Sequence, residues 1–384
     1  MIIVQESIDS KSSIKDLPGA SPLVAANLVL VFSSVKRFNE GKIQATLKKR
    51  YPTAQIVGCT TSGEISQNGV FDDSIQITAI QWQKVIQRVA QSKSSNMQDS
   101  FETAVNLAKQ LQAETLRTVL VISDGLNING SELIKGFQSV LGDTPIIGGL
   151  AGDGGAFVKT LQLFNDTISD HMVIAVGLYG DALITASGAL GGWRPYGPPR
   201  KVTRSEKNVV YELDGKPALS LYQMYIGAAF SKGLPGSGLK FPLAIIEEGK
   251  RDVEKIRTLL AIDPSENSLT FAGNVEEGET VRLCQTNHDR LVEGAGAAAN
   301  LVLDGLDTQK TNQPGLALCV SCVGRKGVMA EQVVDEVKLV QQILGAQTSV
   351  TGFYSYGEIA PRPNTTDSVL HNQTMTIGYL SETL

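Results

Sequence analysis

Cysteine is scarce: Cys59, Cys284, Cys319 and Cys322 are the four in 384 residues, too few for a disulfide framework. Reduced thiols and a cytoplasmic location are the expectation. Histidine is scarcer still, with His171, His288 and His371 alone. They form neither His-x₃-His nor His-Glu-x-x-His, which argues against a zinc hydrolase. No run approaches the ~18–20 consecutive apolar residues of a membrane helix. Met1-Ile2-Ile3-Val4-Gln5-Glu6 lacks the basic and then apolar regions of a signal peptide. An excess of basic charge is missing too: 34 Lys and Arg stand against 39 Asp and Glu, a net charge of −5. That is the wrong sign for a chain living on phosphate backbones, so neither nucleic acid nor a membrane is an expected partner. No Gly-x-Ser-x-Gly elbow and no Walker lysine occurs.

What is present is a repeat. Residues 56–65 read Ile-Val-Gly-Cys-Thr-Thr-Ser-Gly-Glu-Ile and residues 350–359 read Val-Thr-Gly-Phe-Tyr-Ser-Tyr-Gly-Glu-Ile. Each leaves an apolar, strand-like run, and upstream of each lies another: Leu28 to Ser34 and Leu316 to Cys322. Helical spacing lies between, as in Val333, Val337, Val340 and Leu344. Two weaker copies fill the middle. Thr118 to Asp124 leads through a helix over 131–141 to Gly148-Gly149. Phe241 to Glu247 leads through a helix over 252–261 to Gly273-Asn274. The fold expected is α/β in the mixed α+β sense: mixed sheets with helices on their outer faces, built from strand–helix–strand units in two related halves.

Not every strand is parallel in this reading. Residues 171–178 with 181–187, and 76–82 with 85–90, read as hairpins, and 373–380 as a half-buried strand. Gly191 to Pro199 holds three prolines and three glycines and reads as a break in regular structure. A helix is expected over 218–226, and the domains are cut before it: 1–217 and 218–384.

In a right-handed strand–helix–strand unit the loop after the first strand and the turn after the second emerge on one sheet edge, where ligands of open α/β sheets sit. Cys59, Thr60 and Thr61 gather on one such rim; Cys322, Arg325, Tyr354, Tyr356 and Glu358 on the other. His371 and Asn372, starting the next strand, border the second. Glycines 58, 148, 273 and 352 are read as letting backbone approach a ligand. Arg325 offers a fixed charge to a carboxylate or propionate, and the tyrosines flat walls. Other readings stand beside these. Cys319 and Cys322 lie three apart on a strand, facing opposite ways, which opposes metal or redox pairing. Cys322 reads as a pocket thiol or a small buried residue, and His371 as a site residue or a turn cap. Glu64 and Glu358 are a carboxylate pair or local turn ligands, and Gly148 to Gly155 an anion cradle or tight turns.

Gly58-Cys-Thr-Thr-Ser-Gly-Glu-Ile65, Gly149-Leu-Ala-Gly-Asp153 and Gly192-Trp-Arg-Pro195 resemble the FIST N-terminal domain. Ser321-Cys-Val-Gly-Arg325, Gly352-Phe-Tyr-Ser-Tyr-Gly-Glu-Ile359 and His371-Asn-Gln-Thr374 look like its C-terminal partner. The resemblance spans nearly the whole chain in order. It implies a sensory module, not an enzyme, that binds a small ligand. No kinase, cyclase or methyl-accepting segment is fused here, so action through a separate partner is implied: a histidine kinase or a cyclic-di-GMP enzyme. Free-standing members that bind haem and sense nitric oxide suggest haem b, with His371 as axial ligand. A sensor of an amino acid or similar metabolite is the alternative. An enzyme using Cys322 as nucleophile and His371 as base is the rival of another class.

Overall fold

The computed structural model describes residues 1–384 except 18–20, 42, 95, 247–254, 307–312 and 384. Three strand–helix–strand units organise it. Their paired parallel strands are Leu28–Ser33 with Gln55–Thr60, Leu116–Ser123 with Ile146–Leu150, and Gly315–Cys322 with Thr348–Ser355. Each pair lies at the centre of a six-stranded mixed sheet, and the three sheets have one layout. Two antiparallel strands flank the first strand of each unit. A short hairpin flanks the second.

That hairpin never comes from the unit's own continuation. Leaving Gln55–Thr60, the chain forms Glu64–Ser66 and Gly69–Phe71 in the third sheet. After Ile146–Leu150 it forms Gln162–Phe164 and Thr167–Ser169 in the first. After Thr348–Ser355 it forms Gly357–Pro361 and Ser368–His371 in the second. The exchange is cyclic and gives the molecule a quasi-threefold arrangement.

Side-chain alternation explains why the central strands are apolar throughout rather than at every second residue. Leu28, Leu30 and Phe32, with Leu120, Ile122, Leu316, Leu318 and Val320, turn inward to one core shared by all three sheets. Phe32 and Phe353 meet there with ring centroids 4.7 Å apart. The alternate residues turn outward under helices: Val29 and Val31, Val119 and Val121, Ala317 and Cys319. Helices Ile43–Arg50, Ser100–Leu111, Gly130–Leu141, His288–Gly305 and Val334–Leu344 cover these outer faces, as expected.

The fourth expected unit does not exist. Residues Arg194–Gln285 build an eight-stranded antiparallel sheet with its own core, capped by helix Ala218–Ser231. The helix read over 252–261 is, from Lys255 on, two strands, Lys255–Arg257 and Leu259–Asp263; its residues 252–254, and Glu247 of the preceding run, lie outside the described residues. The Pro- and Gly-rich stretch does not break structure either: it opens strand Arg194–Glu206, whose register shifts between Tyr196 and Arg200. Neither expected hairpin forms. Met172–Tyr179 and Leu183–Leu190 belong to different sheets, as do Ile75–Gln81 and Ile86–Lys93. The last strand, Met375–Glu382, is buried on both faces, not half-buried. Among the described residues no helix is long and apolar enough to cross a membrane.

Candidate functional site

The parallel strands of the three units end together, and most residues singled out from the sequence lie there. Backbone closes this meeting point. The Ser62 amide donates to the Tyr354 carbonyl at 2.8 Å, Gly152 to Thr60 at 2.9 Å, and Tyr356 to Leu150 at 3.2 Å. These pairs occupy equivalent positions, so each unit holds the next in a ring of three bonds.

Glu64 and Glu358 serve this closure. Glu64 takes the Thr61 hydroxyl at 2.5 Å and the Ser74 amide at 3.0 Å. Glu358 takes the Ser355 hydroxyl at 2.7 Å and the Thr374 amide at 3.2 Å. Gln162 holds the same place in the remaining sheet, accepting the Met172 amide at 2.9 Å. Each ties an exchanged hairpin to the start of a strand in another sheet. Burial pushes the Glu358 carboxyl up to about 8 and that of Glu64 up to about 7.

Other expected site residues are also engaged. The Arg325 guanidinium, fully buried, meets Glu336 rather than open space: Nε donates at 3.2 Å, and Nη1 and Nη2 reach the Gly191 and Leu291 carbonyls at 2.6 and 2.9 Å. Glu336 also accepts the Tyr354 hydroxyl at 2.6 Å and that of Ser321 at 2.9 Å. Cys59 packs in the central core and Thr60 Oγ1 accepts the Leu161 amide at 2.9 Å. Burial pushes the Cys322 thiol well up. The His371 imidazole is buried, its Nε2 lies 3.1 Å from the Ala360 carbonyl, and burial lowers its pKa to about 4. Asn372 donates to the His371 carbonyl at 2.9 Å. His288 sits between Asp289 and Asp335, and His171 lies just before strand Met172–Tyr179 at φ +58°.

Three of the four singled-out glycines have a structural reason. A Cβ on Gly58, Gly148 or Gly352 would stand 2.0, 1.9 or 1.7 Å from the carbonyl oxygen of the parallel neighbour strand. They admit a strand, not a ligand. The Gly148 to Gly155 amides are spent as well, Gly154 on Thr61 and Gly155 on the Tyr356 hydroxyl.

One open region among the described residues lies along the seam between the second unit and the inserted sheet. A cavity of about 220 Å³ sits past the carboxyl ends of Leu116–Ser123 and Ile146–Leu150. Gly125, Leu126 and Leu150 line it from the unit, and Leu260, Phe271 and Gly273 from the inserted sheet. Tyr356 supplies one wall, stacked on Phe157 with centroids 4.3 Å apart and planes at 9°. The Tyr356 hydroxyl bonds the Asp153 carboxylate, which also takes the Phe157, Val158 and Lys159 amides. Although burial pushes that carboxyl up, these donors hold it below the usual range. Of the side chains expected to bind ligand Tyr356 alone lines this cavity, and of the glycines expected to admit one Gly273 does. Leu260, Phe271 and Ala272 carry no sequence signal of a site, because pairing within the inserted sheet brings them there.

Haem needs a protein axial ligand beside an apolar slot. The ring of His371 faces a carbonyl, and the cavities along the seam are lined by neither histidine nor cysteine. The 220 Å³ cavity also falls below the ~300–1,000 Å³ of drug-sized ligand sites. The residues lining the seam, and His371 as it is held, do not fit haem as they stand.

The FIST N domain model matches residues 27–216 and the FIST C domain model residues 218–361. An uncharacterised protein of Methanocaldococcus jannaschii is 25% identical over 92% of this chain and 73% of its own length. Two uncharacterised proteins of Mycobacterium tuberculosis are each 28% identical over 63% of this chain. The matches span less than two thirds of those two proteins, 62% and 63%. A solved structure of cyanuric acid hydrolase from A. caulinodans aligns over 100% of this chain and 99% of its own at 7% identity, with a TM-score of 0.38, which is too low to carry an argument.

Proposed function

Because this chain belongs to the FIST family, associated with sensing in signal transduction, we propose that it is a small-ligand sensory protein, not an enzyme. In this reading it acts in the cytoplasm on a separate partner, a histidine kinase or a cyclic-di-GMP enzyme. The observation that carries the reading is the seam cavity, placed where open α/β sheets bind ligands and walled by the Tyr356–Phe157 stack. Its size and apolar walls suit a flat metabolite of about amino-acid size better than haem. Because two folding units contribute walls, an occupant would hold the inserted sheet against the core, and that is a change a partner can read.

The state of Cys322 weighs against the nucleophilic reading. The Cys322 thiol is buried and pushed toward its protonated form, and only a thiolate attacks. Haem-dependent nitric-oxide sensing, the finer form of the family resemblance, needs the His371 ring to leave Ala360.

A thermal-shift screen of metabolites tests the proposal, since a ligand at about 100-fold its Kd stabilises by roughly 2.7 kcal/mol. The Ala272→Phe variant, which fills the cavity, is expected to unfold at an unchanged midpoint and to lose the response. A response that survives in this variant places the ligand elsewhere. A Soret band on haemin addition that disappears in His371→Ala overturns the metabolite reading in favour of haem.

A further inference from the structure

Arg257 is a buried guanidinium, 3% exposed, with no carboxylate in ion-pair reach among the described residues. Its Nε donates to the Asn274 carbonyl at 2.9 Å, and Nη1 to those of Ile256 and Leu370 at 3.0 and 3.2 Å. Nη2 donates to no protein acceptor among the described residues. The side chain lines a second cavity, of about 230 Å³, walled by Asn274 where the apolar one is walled by its neighbour Gly273.

Other cations on this cavity differ in one respect. Lys135 reaches Glu132 at 2.9 Å, Lys255 reaches Glu279 at 2.9 Å, and Arg362 reaches Asp367 at 3.2 Å. Each has a carboxylate. Arg257 has carbonyl oxygens only, which orient a guanidinium without neutralising it. A buried charge without a carboxylate in direct contact is costly. Burial pulls its pKa down to about 10 and Arg362 nearby pulls the same way, while Glu279 and Glu276, outside ion-pair reach, offset this in part. Ser131, in the first turn of helix Gly130–Leu141, also faces the cavity, and a Cβ at Gly273 would stand 3.0 Å from the Arg257 guanidinium and 3.1 Å from the Ser131 Oγ, so both groups border one spot.

We infer that Arg257 anchors a site for a small oxyanion, a carboxylate or a phosphate group, in the seam between the inserted sheet and the second unit. The anion would complete the charge that the fold leaves open, with Ser131 and Lys135 as further donors. This inference stands whether or not the apolar cavity takes a ligand.

Isothermal titration of the full chain with inorganic phosphate, and separately with acetate, at constant ionic strength tests it. Saturable binding of one equivalent is expected, and the anion that binds identifies the group. Arg257→Gln is expected to weaken it at least about tenfold, the worth of one charge-assisted hydrogen bond. Should that variant not fold, Lys135→Glu decides, because Lys135 is exposed; it is expected to weaken binding about three- to fivefold at an unchanged unfolding midpoint. Absence of saturable binding by either anion overturns the inference. So does binding that the folded variants leave unchanged.

Discussion

The Ser62 amide donates to the Tyr354 carbonyl, so a residue of the first family domain closes the site end of the second. The Lys326 ammonium bonds the Ser62 carbonyl at 2.8 Å and reinforces the junction. Cyclic exchange repeats such ties at each corner of the core, and the two halves are interlaced rather than docked.

Separating the halves is therefore expected to unfold both. Residues 1–217 alone would leave hairpin Glu64–Phe71 without its sheet, and the second sheet without strands Gly357–Pro361 and Ser368–His371. The fragment should show no cooperative urea transition, and mixing or co-expressing it with 218–384 should restore one. A sharp transition in the isolated fragment contradicts the interlacing.

Stability should fall as pH rises through neutrality. The folded-state pKa values of Glu358, about 8, and Glu64, about 7, lie above the ~4.3 of an unfolded glutamate. The folded state then binds more protons than the unfolded state between those values. The contribution is fully present below about 4.3 and is lost as pH rises through 7 and 8. The third copy already carries an amide, Gln162. Glu64→Gln with Glu358→Gln is thus expected to stay within about 1 kcal/mol of wild type at pH 5 and to flatten the decline toward pH 8.5. Urea midpoints across this range measure it.

Gly352→Ala should be severe. Its Cβ would stand 1.7 Å from the Cys319 carbonyl oxygen at φ +152°, and both groups are backbone at the centre of a sheet. A loss of about 3 kcal/mol or more is expected. Gly142→Ala, at φ +58° with open space around it, should cost only about 1 kcal/mol. Chemical denaturation of the two variants side by side makes the comparison.

All four cysteines are buried and free. Burial pushes each thiol up. An aromatic disulfide reagent at pH 8 should titrate none in the native protein within minutes and four after denaturation. Rapid reaction of one thiol, lost in Cys322→Ser, would revive the nucleophilic reading.

Much of the architecture was legible in the sequence. The parallel pairs were, because Leu28 to Ser33 and Leu316 to Cys322 are apolar at every position, as strands buried on both faces require. The opposed faces of Cys319 and Cys322, and helices 131–141 and 218–226, follow from local periodicity. The hairpin reading of 171–187 failed because a turn at Tyr179-Gly180-Asp181 reports a change of direction, not which sheet the next strand joins. Residues 241–274 failed for a related reason: spacing between apolar runs does not distinguish a helical crossover from antiparallel strands.

By itself the sequence determined the repeat, the family and the outward placement of helices, since all three rest on short-range pattern. Only tertiary structure decided what the patterned residues do. Arg325 reads as a ligand-binding cation until Glu336 is seen against it, while Arg257, inconspicuous within Lys255-Ile-Arg-Thr-Leu259, is buried with no carboxylate in ion-pair reach among the described residues. Whether a charge is neutralised depends on residues remote in sequence, brought within about 3 Å by the fold, and no local pattern encodes that distance.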